Sequence, residues 1–323
     1  MRKLLIFSFL LFSIQQSLIA CDICGCGTGG SFMGIIPNFG SNQIALRSTF
    51  RSFDHPNTTL NYNGRSRVMR DDMYQTEFSY RHFSKKKWSV FINIPYRMNT
   101  RFESERTTTI RGIGDISASF NYTLINTSDS MSHPLKHILM AGVGIKLANG
   151  KFMQRDETKV MLPTLFQIGT GANNGTGHLY YTLRYQRWGF NLNGLYVYSG
   201  KNELEYQIGN QIQTTSSIFW KKDITLKKKK TEEGTQVFDP RNSRTISLLP
   251  SIGFNYENSE ADREFGREKE FTGGTHYFGH LALDVLFERL AISAFYQHAL
   301  DSKVGIAQPE NRSRAGFAFT WRL

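Results

Sequence analysis

Past position 26 the chain has no cysteine. Its three cysteines are Cys21, Cys24 and Cys26, so no disulfide framework holds the long remainder. After the opening segment no run of 18 apolar residues occurs, which excludes a spanning helix. Hydrophobic residues make up only 40% of the chain, thin for one large soluble core but suited to a barrel with a wet interior. Acidic residues are also scarce, 27 against 39 basic, for a net charge of +12. No nucleic-acid motif accompanies that excess, so it points to anionic solutes or lipid head groups, with no nucleic-acid partner. No local pattern sets a Ser and a His beside an orienting polar group, so no catalytic residue is assigned and a non-enzymatic protein is expected.

The first 20 residues have the form of a secretory signal, with Arg2 and Lys3, an apolar run from Leu4 to Phe12, and a small residue at Ala20. Cleavage before Cys21 removes two basic residues and no acidic one, leaving +10. Leu18-Ile19-Ala20-Cys21 also satisfies a lipoprotein signal, which would place a lipid on the Cys21 thiol. The expected organisation is a signal peptide at 1–20, a Cys/Gly-rich segment at 21–41 and a barrel at 42–323.

What fills the rest is two-residue alternation, the pattern of a strand with one face on lipid and the other on water. Ile44, Leu46 and Phe50 alternate with Gln43, Arg47, Thr49 and Arg51. Near the end Ala315, Phe317, Phe319, Trp321 and Leu323 alternate with Arg314, Gly316, Ala318, Thr320 and Arg322. Further strands are expected near 72–83, 88–98, 114–125, 135–147, 177–186, 189–199, 207–220, 245–256, 274–287 and 289–299. The count is twelve, with fourteen as the upper bound. The fold class is therefore all-β, an antiparallel up-and-down transmembrane barrel in the outer membrane of a Gram-negative bacterium. Long polar connections at 54–71, 99–113, 148–176 and 300–311 read as outer loops, against tight turns at Ser84–Lys87, Arg187-Trp188 and Glu288-Arg289. The stretch 221–244 breaks that asymmetry, as a solvated excursion or a projecting pair of strands.

With the apolar face on lipid, Arg47, Arg51, Glu77, Arg81, Arg97, Asp115, Lys146, Arg184, His276, His280 and Asp284 become lumen-lining candidates. Basic residues outnumber acidic ones, which predicts a weak anion preference if the path is open. His276 and His280 share a face but lie about 13 Å apart along an extended strand, too far to share one metal directly, and are read as ordinary polar lumen residues. Cys21-Asp22-Ile23-Cys24-Gly25-Cys26 offers soft thiolate ligands for Cu or Zn, with Met33 as an added thioether for copper. Lipidation of Cys21 competes with that use, and an exported compartment adds a disulfide as a third outcome. No cofactor is required by any other feature.

Several segments resemble a known family. They are the cysteine-rich start, Ile35-Ile36-Pro37-Asn38-Phe39, Gly112-Ile113-Gly114-Asp115-Ile116, Phe166-Gln167-Ile168-Gly169-Thr170-Gly171, Tyr206-Gln207-Ile208-Gly209-Asn210-Gln211, Leu249-Pro250-Ser251-Ile252-Gly253 and Thr272-Gly273-Gly274. In order and spacing they resemble Bacteroidetes outer-membrane transporter family proteins, which are similar to the outer-membrane proteins of the meta-pathway of phenol degradation. The sequence departs from the family pattern at Ala172-Asn173-Asn174. The resemblance implies passive passage of a small, often hydrophobic molecule. Combined with the basic interior, the expected function is a transporter or channel for a small hydrophobic or anionic solute, with loops 54–71 and 148–176 as gates. The alternatives are a barrel that anchors a metal-binding Cys cluster and a lipase-like barrel enzyme. The expected partners are outer-membrane lipid, the solute and the outer-membrane assembly machinery. Nothing in the sequence sets the oligomeric state.

Overall fold

The structure is a computed structural model that describes residues 41–55, 69–84, 87–103, 106–128, 134–226, 244–270, 272–303 and 310–323. The signal sequence and the Cys21, Cys24 and Cys26 cluster lie outside the described residues.

Alternation produces strands here because each one carries β-branched and aromatic residues on one side and short polar or charged ones on the other. From β1 (Gln43–His55) the wall runs through β2 (Met69–Ser84) and β3 (Trp88–Glu103). β4 (Arg106–Ile113) and β5 (Ser117–Asn126) follow, both pairing with β3 and so sharing one wall position. Next come β6 (Leu135–Lys146), β7 (Asn174–Tyr185), β8 (Trp188–Tyr198) and, after the short β9 (Tyr206–Gln207), β10 (Gln211–Trp220). β11 (Lys222–Leu226) leads to β12 (Arg244–Ser259), and the short β13 (Arg263–Glu264) and β14 (Arg267–Glu268) precede β15 (Gly274–Leu286), β16 (Leu290–Lys303) and β17 (Glu310–Arg322). Adjacent strands are antiparallel. β10 pairs with both β8 and β12, and β17 pairs with β1, so the sheet closes into a twelve-position barrel. Closure removes sheet edges, and the backbone groups along the wall are met by neighbouring strands without help from water.

The two faces differ as the alternation requires. Leu46 is 47% exposed and the next residue, Arg47, only 7%. Phe78, Ile94, Val143, Ile252, Leu281, Phe317 and Phe319 stand on the outer surface. Arg81, Asn93, Gln213, His280 and Arg314 are buried on the inner one. All four tryptophans of the chain, Trp88, Trp188, Trp220 and Trp321, sit at strand ends on the short-turn side. Trp88, Trp188 and Trp220 each stand next to a buried inner-face residue, and Trp321 is 50% exposed between two half-buried ones, so all four belong to the outer face. An apolar band ending in an aromatic rim matches a bilayer's core and its interface.

Three sequence expectations need correction in detail, and a fourth is narrowed to one of its two alternatives. The stretch 99–113 is no open loop: β3 continues to Glu103 and β4 pairs back along it, Tyr96 opposite Ile113. In the stretch 221–244, β11 pairs with the start of β12, Ile224 opposite Ile246, so among the described residues it is the projecting pair of strands that is found. β7 begins at Asn174, three residues earlier than expected. β10 begins at Gln211 because residues 207–210 are drawn into a loop cluster. In each case non-local pairing or capture by another loop overrides the local pattern, which places element ends poorly.

Candidate functional site: the polar interior and its infolded loop

Of the lumen-lining candidates, Arg47, Arg51, Glu77, Arg81, Arg97, Asp115, Lys146, His276, His280 and Asp284 are all buried. Arg184 is only half-buried, on β7 near the short-turn rim, where it acts electrostatically on Asp223. Asp115 lies in the break between β4 and β5 rather than within a strand.

Several of these groups are joined by hydrogen bonds. Arg47 Nη1 lies 3.4 Å from Glu77 Oε2, and the Gln75 amide donates to the same carboxylate. Arg97 Nε donates to Gln75 Oε1 at 2.9 Å. On β15, the two histidines have separate partners: His276 Nδ1 meets Ser302 Oγ at 2.9 Å, and His280 Nδ1 meets the Gln297 amide at 3.3 Å. Asp284 accepts from the Ser293 hydroxyl. No group of three His, Cys, Asp or Glu side chains suited to a metal occurs among the described residues.

Residues 147–173, between β6 and β7, fold against the inner wall. Asp115 is the anchor. Its Oδ1 accepts from Gly150 N at 3.0 Å, and its Oδ2 accepts from Thr170 N at 2.9 Å and Thr170 Oγ1 at 2.6 Å. Lys146 Nζ stands 3.8 Å from the same carboxylate. Arg97 Nη1 donates to Ile168 O at 3.1 Å, and Asn99 Nδ2 to Phe166 O at 2.8 Å. Leu162, Phe166 and Ile168 of the loop form a buried apolar cluster with Ile110 of β4, and Met73 packs against it. Gly169 permits the close approach, because a Cβ there would lie 2.6 Å from the Gly150 backbone. Two segments of the family resemblance, 112–116 and 166–171, are thus brought together at one contact.

A second anchor lies among the outer loops. Asp262, buried between 199–210 and 260–273, accepts from the Tyr206 hydroxyl and from Gly209 N, and its own N–H donates to Thr272 Oγ1 at 3.0 Å. Burial raises the Asp262 carboxyl above the usual aspartate value, with the Tyr206 and Gly209 hydrogen bonds and Lys269 opposing that shift. Segments 206–211 and 272–274 of the resemblance meet here.

The sequence reading missed the strongest ion pairs of the interior. Arg101 donates from Nε and Nη2 to Asp71, both at 2.7 Å, and His55 Nε2 lies 2.9 Å from the same carboxylate. Arg314 grips Glu257 with both Nη atoms, the Nη2–Oε2 bond being 2.8 Å, and its guanidinium lies 4.1 Å from the Phe278 ring centroid. Asp71, Arg101 and Glu257 lie just past the expected strand ends. The alternation continues through all three, and counting it past the bilayer-sized segment would have found them.

A closed, even-stranded antiparallel barrel with an apolar, tryptophan-rimmed exterior and a polar interior is the architecture of proteins of the Gram-negative outer membrane, and this protein is one of that class. No family model and no curated protein matches the chain. Among solved structures, an outer membrane channel from Pseudomonas putida F1 superposes with a TM-score of 0.58 at 9% identity, over 89% of this chain and 97% of that one. The translocator domain of the autotransporter NalP from Neisseria meningitidis gives a TM-score of 0.38 at 11% identity, over 88% and 89%. At 9% identity the first likeness is one of fold.

Proposed function

We propose that this barrel passes a small solute passively across the outer membrane, along its polar interior, with the loop of residues 147–173 narrowing the outer half. The observation that carries this reading is the inner wall itself. Some of its buried charged and polar groups are used to hold that loop in the mouth: Asp115 binds it directly, and Arg97 and Asn99 bind its carbonyls. A barrel serving only as an anchor has no need of a charged interior that positions a loop. The superposed Pseudomonas protein is described as a channel, and the family resemblance points to passage of small molecules. The basic excess favours anionic solutes, with hydrophobic ones as the alternative. Lipid contacts the outer band, and assembly machinery is the expected partner of the terminal aromatic strand.

The test is ion current through the purified, folded full chain in planar bilayers. A steady current with a modest anion preference is expected. Absence of current overturns the channel, and a cation preference overturns the anion bias. Esterase activity of the same preparation would favour the enzymatic alternative.

A second reading rests on the C-x-x-C-x-C spacing alone, since Cys21, Cys24 and Cys26 lie outside the described residues. In it, the cluster binds Cu or Zn. Replacing Cys24 and Cys26 with serine should lower the bound metal, and unchanged metal content removes the reading.

A further inference from the structure

Charge pairing along the inner wall is uneven. The carboxylates are engaged: Asp71 with Arg101, Glu77 with Arg47, Asp115 with Thr170 and Lys146, Glu257 with Arg314, and Asp284 with Ser293. Arg51 is different. It is 4% exposed, yet among the described residues it makes no hydrogen bond and no ion pair. Its direct cross-strand partner on β17 is another cation, Arg314, an arrangement that repels. Arg97 adds to that repulsion, and Glu257 and Glu77 act on Arg51 only at a distance, being already bound elsewhere.

A buried guanidinium left this way is costly unless an anion or water meets it. A sealed polar atom without a hydrogen-bond partner does occur on this wall, at Arg47 Nε, but no donor of Arg51 is sealed in that way, so its donors still reach the space of the interior. On one flank stand Arg314 and Phe278, and on the other the cross-strand neighbour Met73 with the apolar cluster of the infolded loop. The site therefore combines a guanidinium fork with no hydrogen-bond partner among the described residues, a second cation beside it, and apolar walls.

We propose that Arg51 is the anchor of an oxyanion-binding site inside the barrel, taking the carboxylate of a small organic acid. The planar guanidinium matches a carboxylate with two parallel N–H···O bonds, a geometry that lysine does not reproduce. Arg314, held in place by Glu257 and stacked on Phe278, adds positive potential without moving. Phosphate has the same oxyanion chemistry, and the apolar flank at Met73 favours the carboxylate over it. The inference rests on the channel reading for its physiological meaning but not for its test.

That test is calorimetric titration of the detergent-purified full chain with sodium butyrate and, separately, with inorganic phosphate, for wild type, Arg51→Gln and Arg51→Lys. Butyrate should bind the wild type and bind Arg51→Gln about tenfold or more weakly, the scale of losing hydrogen bonds to a charged group. Arg51→Lys should fall between them, which keeps the test alive if the glutamine variant does not fold. Arg51-dependent binding of phosphate in place of butyrate keeps the oxyanion site and overturns the carboxylate assignment. Equal binding by wild type and variants, or no binding of either anion by the wild type, overturns the site. Arg51-dependent binding in a chain that carries no ion current sinks the channel reading and leaves the site standing.

Discussion

The carboxylate of Asp115 accepts hydrogen bonds from both the backbone N–H and the hydroxyl of Thr170, 55 residues further along the chain. Through this contact the loop between β6 and β7 is tied to the break between β4 and β5. Asp115→Ala should therefore free the loop before it harms the barrel. The stranded donors of Gly150 and Thr170 cost about 1–3 kcal/mol if they stay buried, so the loop should leave the wall. Faster proteolysis within residues 150–170 and a larger, noisier single-channel current are expected. Unchanged cleavage and current would show that the apolar cluster holds the loop unaided.

Breaking the Glu257–Arg314 pair from one side leaves a buried cation next to Arg51. Glu257→Gln should destabilise the barrel by about 3–5 kcal/mol, measured as urea unfolding in lipid vesicles. The double change Glu257→Gln with Arg314→Gln should recover much of that loss, because neither member of the pair is then left as a buried charge without its partner.

On the inner face Gly189 lies opposite Phe219, whose ring occupies the space above it: a Cβ on Gly189 would be 2.0 Å from Phe219 Cζ. Gly189→Ala should cost about 1–3 kcal/mol through overpacking. Combining it with Phe219→Leu should cost less than the sum of the two single changes in the same unfolding assay.

Asp262 gives the outer loops a pH dependence of defined sign. Its folded-state value is raised by burial, so the folded loops hold its proton more tightly than the unfolded chain does. That contribution is complete below the ordinary aspartate value and is lost as pH rises through the raised one. Amides of residues 205–209 should be better protected in mild acid than at neutral pH, after correction for intrinsic exchange rates. Asp262→Asn should flatten the difference.

The tryptophan rim fixes the depth of the protein in the bilayer. Fluorescence from Trp88, Trp188, Trp220 and Trp321 should be quenched more by nitroxide lipids labelled near the head group than by those labelled mid-chain. The reverse order would move the bilayer boundary away from the short-turn ends.

Much of the barrel is legible in the sequence because a strand facing lipid on one side and water on the other must alternate residue by residue. Leu46 and Arg47 show the rule at its simplest. The twelve wall positions, the inward set from Arg47 to Asp284 and the asymmetry of the connections follow from it, though Arg184 proved only half-buried. Strand ends were less legible. Arg101 and Glu257 continue the same alternation past the length a bilayer requires, and Arg106–Ile113 become strand only because β3 is there to pair with.

Local residue order, then, determined which side of the wall each side chain takes, since that depends only on the two-residue period of an extended backbone. It could not determine which inward charges meet. Glu257 on β12 reaches Arg314 on β17, with β15 and β16 between them, and Asp115 meets Thr170 only because a long loop turns inward. Such contacts depend on how the closed sheet curves and how its strands are staggered, quantities set by the whole set of pairings at once. The same closure places Arg51 opposite Arg314, a neighbour that no local pattern on either strand specifies.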